Sequence, residues 1–141
     1  MPADKPSGTR DDINYKKRAL VIDDEQGIRD LMAFVLKPDG FDVVTASDGV
    51  EGLKAYNAGN FDLVLLDIHM PGLNGIQALK EIKKIKPKQA VIMFSSSMDP
   101  ALLDANESDA NGAIACLYKP FMLEDMRTAV FNTMKPREAE K

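Results

Sequence analysis

The sequence predicts an α/β domain in which helices cover both faces of a five-stranded, doubly wound parallel sheet. Short and almost continuously apolar runs recur along the chain, and such runs are typical of parallel strands that are buried on both faces. Segments with helical periodicity separate these runs, so that strand and helix alternate five times. Alternation of this kind requires right-handed crossovers, which place helices on both sides of the sheet.

The five predicted strands are the apolar runs at 19–22, 41–46, 61–66, 90–94 and 113–118. Each is rich in branched aliphatic residues and is short enough for a buried strand. Acidic residues follow two of them, since Asp23 and Asp24 come after the first run and Asp67 comes after the third. The carboxyl ends of parallel strands share one edge of the sheet, where ligands bind in folds of this class.

The five predicted helices are recognised by apolar stripes, N-cap residues and glycine stops. The stripes of the first, third and fifth helices are Ile28–Leu31–Met32–Val35, Ile76–Leu79–Ile82 and Leu123–Met126–Val130. Asp48, with Glu51 three residues later, predicts the start of the second helix. Asp99-Pro100 predicts the start of the fourth. We expect that fourth helix to be short or frayed, because poor helix formers crowd its sequence at 104–111.

Length and composition are those of a single globular domain. The chain has 141 residues, 45% of them hydrophobic and 28% charged. Residues 1–17 are expected to form a flexible tail, 18–134 the domain and 135–141 a polar C-terminal tail. The net charge of −4 favours neither nucleic acid nor an anionic membrane as a partner, and no apolar stretch approaches the roughly 20 residues of a membrane span. The single cysteine, Cys116, suits a reducing compartment, so the expected location is the cytoplasm.

Four predicted strand ends carry groups that suit phosphate chemistry. Asp23, Asp24 and Asp67 would repel one another without a cation, and a set of oxygen ligands is what Mg²⁺ prefers. Such a site can take a phosphoryl group, and a carboxylate can itself act as a nucleophile and form an acyl phosphate. The fourth strand ends in Ser95-Ser96-Ser97 and the fifth in Lys119. A hydroxyl and an ammonium group both bind phosphate oxygens.

These motifs, in this order, resemble the receiver domain of two-component response regulators. The resemblance covers about Arg18 to Met134 and is carried by Val21–Glu25, Asp67–Gly75, Ser95-Ser96, Gly112-Ala113 and Lys119–Phe121. It implies a flavodoxin-like, three-layer α/β/α fold and a signalling domain rather than an enzyme. Such a domain takes a phosphoryl group from a phosphohistidine of a sensor histidine kinase or histidine phosphotransfer protein. It passes the signal to a downstream effector protein by contact, or by onward phosphotransfer.

The resemblance implies a Mg²⁺-dependent phosphoacceptor site built on the acidic residues. Asp67 is the residue that becomes phosphorylated. Asp24 and Asp67 ligate Mg²⁺ directly, the backbone carbonyl of His69 is a further ligand, and Asp23 acts through a metal-bound water.

The resemblance also implies which residues handle the phosphate. The Ser95 hydroxyl and the Lys119 ammonium bind phosphate oxygens once the acceptor is modified, and the Lys119–Pro120 peptide bond is cis. His69 is the only histidine, and a lone histidine is seldom a ligand, so its side chain is expected to border the site without ligating. The residue types at His69 and Ser97 are expected to tune how long the acyl phosphate survives.

Cys116 marks a departure from the pattern of the family. Receiver domains usually have an aromatic residue three positions before the lysine of the fifth strand, and it swings inward on phosphorylation. A cysteine is too small for that movement. Tyr118 has the same parity along the strand, so we expect either that it takes over part of the signalling or that the aromatic switch is absent. The segment between Ser95 and Gly112 also exceeds the usual length, which affects the output face rather than the site.

Other functions share parts of this pattern. A Mg²⁺-dependent phosphatase of the haloacid-dehalogenase type also forms an aspartyl phosphate, but it needs an Asp-x-Asp phrase that Asp23–Gln26 lacks. A flavodoxin-like electron carrier needs a Ser/Thr/Gly-rich loop after the first strand, and none is present there. A stand-alone receiver is the preferred expectation, because few residues follow the fifth predicted helix. A receiver taken from a larger regulator stays open as the alternative.

Overall fold

The structure is a computed structural model that describes residues 17–70, 72, 75–95 and 114–134. The elements in chain order are β1 (Lys17–Ile22), α1 (Gln26–Leu36), a 3₁₀ turn (Lys37–Asp39), β2 (Phe41–Ala46), α2 (Gly49–Ala58), β3 (Leu63–Asp67), α3 (Gly75–Ile85), β4 (Val91–Ser95), β5 (Ile114–Tyr118) and α4 (Leu123–Met134). Several predictions fall outside the described residues, namely the tails at 1–16 and 135–141, the fourth predicted helix, Gly112-Ala113, Ser96, Ser97 and part of the turn after Asp67. Helix α4 is therefore the last of the helices that the sequence predicted.

The sheet has the predicted parallel, doubly wound topology. Its five strands lie in the order β2-β1-β3-β4-β5, and every neighbouring pair is parallel. The strand order changes direction between β1 and β3, and the crevice at such a switch point is where doubly wound folds bind ligands. The predicted fold class is confirmed, and β1 and β3 are the strands whose ends carry the acidic residues.

Strand boundaries differ slightly from the predicted runs. β1 begins at Lys17 rather than Ala19, because Lys17 and Arg18 continue the pairing with Phe41 and Asp42 of β2. These two residues are only half buried, which explains why an apolar pattern does not include them. β3 ends at Asp67 itself, so the acid belongs to the strand and not to the turn after it.

Alternate residues of the buried strands supply two cores, one on each face of the sheet. Leu20 and Ile22 of β1 pack on the side of α2 and α3, whereas Ala19 and Val21 pack on the side of α1 and α4. All five residues of β3 and all five of β4 are buried, as expected for central strands. The fold therefore holds the carboxyl ends of β1, β3 and β4 in a rigid frame.

Local signals at helix ends explain how the elements begin. The predicted cap of α2 is present, since Asp48 Oδ1 accepts a hydrogen bond of 2.8 Å from the backbone N–H of Glu51. The Glu51 carboxylate accepts in turn from the Ser47 hydroxyl at 3.0 Å. Within the part of the chain that the structure describes, no helix combines the length and the apolar character needed to cross a bilayer.

Candidate functional site

Asp67 lies at the carboxyl end of β3 and is only 3% exposed. The backbone N–H of His69 donates to Asp67 Oδ1 at 3.1 Å and so fixes the orientation of the carboxylate. The described residues around it make backbone hydrogen bonds, because Ile68 N donates to the Phe94 carbonyl at 2.9 Å and Gly75 N donates to the Ile68 carbonyl at 3.0 Å. The acid is thus held in a defined position inside the sheet edge.

Gly75 permits α3 to begin directly against this turn. A Cβ atom at this position would overlap the carbonyl oxygen of Asp67 and the Cα atom of Ile68. Both are backbone atoms, which cannot move aside as a flexible side chain can. Glycine is therefore required for the close approach of α3 to the end of β3.

Asp23, Asp24 and Asp67 form a cluster in which one carboxylate oxygen from each lies within 4.8 Å of the others. Asp23 is fully buried, whereas Asp24 is exposed at the mouth. The Asp23 carboxylate accepts from the backbone N–H of Glu25 at 2.9 Å. The Arg29 guanidinium donates to the Asp23 carbonyl at 2.8 Å. The structure thus brings together the three carboxylates that the sequence predicted as one site.

Lys119 approaches the acidic cluster from the end of β5. Its Nζ lies 3.4 Å from Asp23 Oδ2, 3.6 Å from Glu25 Oε1 and 3.7 Å from Asp67 Oδ2. Its backbone N–H donates to the Ser95 carbonyl at 2.6 Å, which joins the ends of β4 and β5. The Lys119–Pro120 peptide bond is cis, the conformation that the resemblance implies.

Both buried acids of the site have a raised pKa, mainly because they are buried. Burial, and secondly the charge of Asp23, raise the pKa of Asp67 to about 6, although the His69 N–H and Lys119 act in the opposite direction. Burial likewise raises the pKa of Asp23. For Lys119, burial lowers the pKa, but the neighbouring carboxylates of Asp23, Asp67 and Glu25 outweigh it and raise the pKa above its ordinary value.

The donor set fits a hard divalent cation. Two buried carboxylates and one exposed carboxylate converge, and burial together with the charge of Asp23 makes the ionised form of Asp67 unfavourable unless a cation offsets it. Oxygen ligands at one open edge are the environment in which Mg²⁺ binds while keeping several waters. The residues present therefore fit the metal that the resemblance implies.

Ser95 and His69 meet beside Asp67. Ser95 is fully buried at the end of β4, and its Oγ lies 3.2 Å from Nε2 of His69. His69 is exposed, so its ring covers Ser95 at the mouth of the site. The carboxylate cluster consists of Asp23, Asp24 and Asp67, and the printed sequence places His69 two residues after Asp67.

Cys116 and Tyr118 lie on β5, next to the site. Cys116 is partly buried and packs against the core on the side of α2 and α3. Tyr118 is the partner of Ser95 in the β4–β5 pairing and is 38% exposed. An aromatic side chain therefore stands on the edge strand opposite the predicted phosphate-binding serine, even though the usual aromatic position holds a cysteine.

Glu25 is the site residue to which sequence reasoning assigned no role. It is the N-cap of α1, and its side chain reaches Lys119 across the mouth of the site. The signal in the sequence was its place directly after Asp23-Asp24, which puts a third acid next to the pair. That position alone does not show that the side chain turns toward the end of β5.

Comparison with known proteins gives the family. A family model for the response regulator receiver domain matches residues 19–131. The chain is 34% identical over 119 residues to the chemotaxis protein CheY of Bacillus subtilis, covering 83% of this chain and 97% of that protein. It is 38% identical over 104 residues to the transcriptional regulatory protein CpxR homolog of Haemophilus influenzae, covering 74% of this chain but only 44% of that protein.

A solved structure agrees with the sequence matches. The response regulator protein TrrA of Thermotoga maritima, solved in complex with Mg²⁺-BeF, superimposes with a TM-score of 0.71. It is 34% identical, and the match covers 83% of this chain and 98% of that one. The family model by itself matches well over half of the chain. This chain therefore belongs to the response regulator receiver domain family of two-component signalling systems.

Proposed function

We propose that this chain is a single-domain response regulator that accepts a phosphoryl group on Asp67. The donor is a phosphohistidine of a sensor histidine kinase or of a histidine phosphotransfer protein. The observation that carries the proposal is the position of the Asp67 carboxylate, which is buried, belongs to the acidic cluster and lies 3.7 Å from the Lys119 ammonium. A nucleophile, a metal-binding set and a phosphate-binding cation thus meet at one point.

In the transfer step, a carboxylate oxygen of Asp67 attacks phosphorus and forms a mixed anhydride. The bond between phosphorus and the imidazole nitrogen breaks, its electron pair returns to that nitrogen, and the imidazole leaves neutral because its other nitrogen carries a proton. The hydrogen bond from the His69 N–H holds Asp67 Oδ1, so Oδ2, which faces Lys119, is the oxygen that we assign to the attack. Charge on the transferred group is offset by positioned cations rather than by water.

Asp24, Asp67 and the backbone carbonyl of His69 would hold Mg²⁺ directly, with Asp23 acting through a water. Bound Mg²⁺ supplies the positive charge that offsets the carboxylates and the phosphoryl oxygens. Lys119, which follows β5, supplies a second positive charge next to Asp67. The Ser95 hydroxyl, which now lies near His69, would donate a hydrogen bond to a phosphoryl oxygen.

The signal ends when the acyl phosphate is hydrolysed. A water oxygen attacks phosphorus, the bond to Asp67 breaks, and the carboxylate and inorganic phosphate are released. Before that, the phosphorylated domain passes the signal to an effector protein by contact or hands the phosphoryl group to another histidine. The chain spans almost all of CheY but less than half of the CpxR homolog, so a receiver that belongs to a larger regulator is the alternative form of the same proposal.

The proposal is tested by incubating the protein with acetyl phosphate and Mg²⁺ and measuring its intact mass. We expect the gain of one phosphoryl group, which disappears with a chelator and in Asp67→Asn. The matched control is Asp42→Asn, an exposed acid on β2, which should gain the group as the parent does. A mass gain that persists in Asp67→Asn, or no gain in the parent, would contradict the proposal. Sustained release of phosphate from many phosphoesters would instead indicate the phosphatase alternative.

A further inference from the structure

Glu25 stands at the mouth of the site and contacts Lys119. Its Oε1 lies 3.6 Å from Nζ, and its side chain is 63% exposed, whereas the Lys119 side chain is 20% exposed. Its backbone is anchored by the hydrogen bond that its N–H donates to Asp23 Oδ1. The carboxylate is thus attached to a fixed backbone but reaches Lys119 from the solvent side.

The three carboxylates around Lys119 differ in one respect that matters for phosphorylation. Asp23 and Asp67 belong to the cluster whose oxygens converge within 4.8 Å, the set that fits a divalent cation. Glu25 stands outside that set. When the cation is bound and Asp67 carries the phosphoryl group, the charges of the two cluster acids are offset, but the charge of Glu25 is unchanged.

Glu25 is therefore the anion that still competes with the phosphoryl group for Lys119. The ammonium must move from its three-carboxylate position to the phosphoryl oxygens, and the Glu25 carboxylate holds it back. The same charge at the mouth also repels an anionic donor as it enters. Both effects act in the same direction and slow the formation of the acyl phosphate.

We propose that Glu25 is a positioning residue that restrains Lys119 and so limits the rate at which Asp67 is phosphorylated. This inference rests on the proposed function of Asp67 as the phosphoacceptor. Because the Glu25 carboxylate is exposed and screened by water, its removal should change the rate by only about two- to fivefold.

The test measures initial phosphorylation rates with acetyl phosphate at saturating Mg²⁺ for four proteins. Glu25→Gln removes the charge with the same side-chain shape, and we expect a rate about two- to fivefold above that of the parent. Glu25→Asp keeps the charge but draws the carboxylate back from Lys119, so its rate should lie between the two. Asp30→Asn removes one exposed charge from the same helix and should match the parent.

Salt separates this role from a structural one. Raising the ionic strength screens the exposed Glu25 carboxylate, so the ratio of the Glu25→Gln rate to the parent rate should fall toward one. A change in packing would leave that ratio unaltered. Thermal unfolding of the Glu25→Gln variant should resemble that of the parent, because the anchoring hydrogen bond is made by the backbone.

Each outcome decides between the two proposals. If the parent takes no phosphoryl group, the proposed function fails and this inference fails with it. If the parent is phosphorylated and Glu25→Gln proceeds at the same or a lower rate, only the inference about Glu25 is overturned. Equal acceleration in Asp30→Asn would also overturn it, because net charge and not the contact with Lys119 would then be the cause.

Discussion

Asp67 and Lys119 face each other across the carboxyl edge of the sheet, with 3.7 Å between Oδ2 and Nζ. This contact does not restore an ordinary pKa to Asp67, because burial and the neighbouring charge of Asp23 raise it to about 6. Lys119 also forms an ion pair with Asp23, and its Nζ lies closer to Asp23 Oδ2, at 3.4 Å. Without a bound cation, the ionised Asp67 carboxylate is therefore unfavourable in the folded protein at neutral pH, and the stability of the protein should respond to anything that removes its charge.

The first prediction concerns the pH dependence of stability in Asp67→Asn. The pKa of Asp67 is about 6 in the folded state against 3.8 for an ordinary aspartate. Because the pKa of Asp67 is raised in the folded state, the stabilising contribution of Asp67 is fully present below its ordinary pKa, where the group is protonated. This contribution is lost as the pH rises through the folded-state pKa of about 6. The free energy of unfolding of Asp67→Asn, relative to that of the parent, should thus increase by roughly 1–3 kcal/mol between pH 4 and pH 7.

Urea unfolding of both proteins over this pH range, with a chelator present, gives the difference directly. The comparison removes contributions from other acids that titrate alike in the two proteins. Curves for the parent and for Asp67→Asn that run parallel from pH 4 to pH 7 would show that Asp67 titrates normally in the fold.

The second prediction concerns Mg²⁺. Because the cation binds the folded cluster, it should raise the free energy of unfolding by about 1.4 kcal/mol at ten times its Kd. Asp24→Asn should lose most of this gain while leaving stability without metal almost unchanged, since Asp24 is exposed. Asp30→Asn, an exposed acid on α1, is the control and should respond as the parent does. A Mg²⁺ response in Asp24→Asn equal to that of the parent would remove Asp24 from the metal-binding set.

The sheet was predictable because its strands are nearly uniform in character. The residues of β3 and β4 are buried throughout, so their sequences are continuous apolar runs with an acid or a serine at the end. Parallel topology then brings Asp67 and Ser95 to one edge without any further information. The start of β1 was harder to predict from the sequence, because Lys17 joins the strand through backbone pairing with β2 and not through burial.

Side-chain contacts across the site were not predictable to the same degree. The sequence places Glu25 after β1 and Lys119 after β5, but only the fold shows that their side chains meet. The contact between His69 and Ser95 likewise depends on the rotamer that His69 adopts above a buried hydroxyl. Strand order determines which ends are neighbours, whereas side-chain conformation determines which groups touch.

The third prediction concerns Gly75→Ala. The added Cβ would overlap the backbone of Asp67 and Ile68, so α3 must shift away from the end of β3. Overpacking of this kind costs about 1–3 kcal/mol, and we expect slower phosphorylation because the Asp67 carboxylate moves with its backbone. Gly27→Ala on α1 is the control, because a Cβ there would meet no atom of the described residues within 4 Å. That variant should be more stable by about 0.5–1 kcal/mol.

Unfolding free energies and phosphorylation rates of the two alanine variants check this prediction. If Gly75→Ala is as stable and as readily phosphorylated as the parent, α3 does not need its close approach to the turn.

The fourth prediction concerns the lifetime of the acyl phosphate in His69→Ala. The exposed His69 ring covers the Ser95 hydroxyl at the mouth of the site, so its removal opens a path for water. We expect dephosphorylation to be about two- to tenfold faster, a modest lowering of the barrier. His69→Gln keeps a side chain that can hydrogen-bond to Ser95 and should lie closer to the parent. The rates are obtained by following the loss of phosphate from the purified phosphorylated protein by intact mass. Equal rates for His69→Ala and the parent would show that His69 does not affect the lifetime of the acyl phosphate.

The fifth prediction concerns Tyr118 as the aromatic reporter of phosphorylation. Tyr118 lies opposite Ser95 in the β4–β5 pairing and is partly exposed, whereas Cys116 is small and packs on the core. When the Ser95 hydroxyl turns toward a phosphoryl group, the space beside it becomes available to the Tyr118 ring. We therefore expect Tyr118 to change rotamer and to become more buried.

The chain has three tyrosines, so protein labelled with 3-fluorotyrosine should give few ¹⁹F resonances, and Tyr118→Phe identifies the one that matters. Addition of Mg²⁺ with beryllium fluoride, a mimic of the phosphoryl group, should shift that resonance. The resonance of Tyr56 serves as an internal control, because its ring is buried and its hydroxyl donates to Gln89 at 2.7 Å. Asp67→Asn should show no shift at Tyr118. An unmoved Tyr118 resonance in the parent would mean that this receiver signals without an aromatic switch on β5.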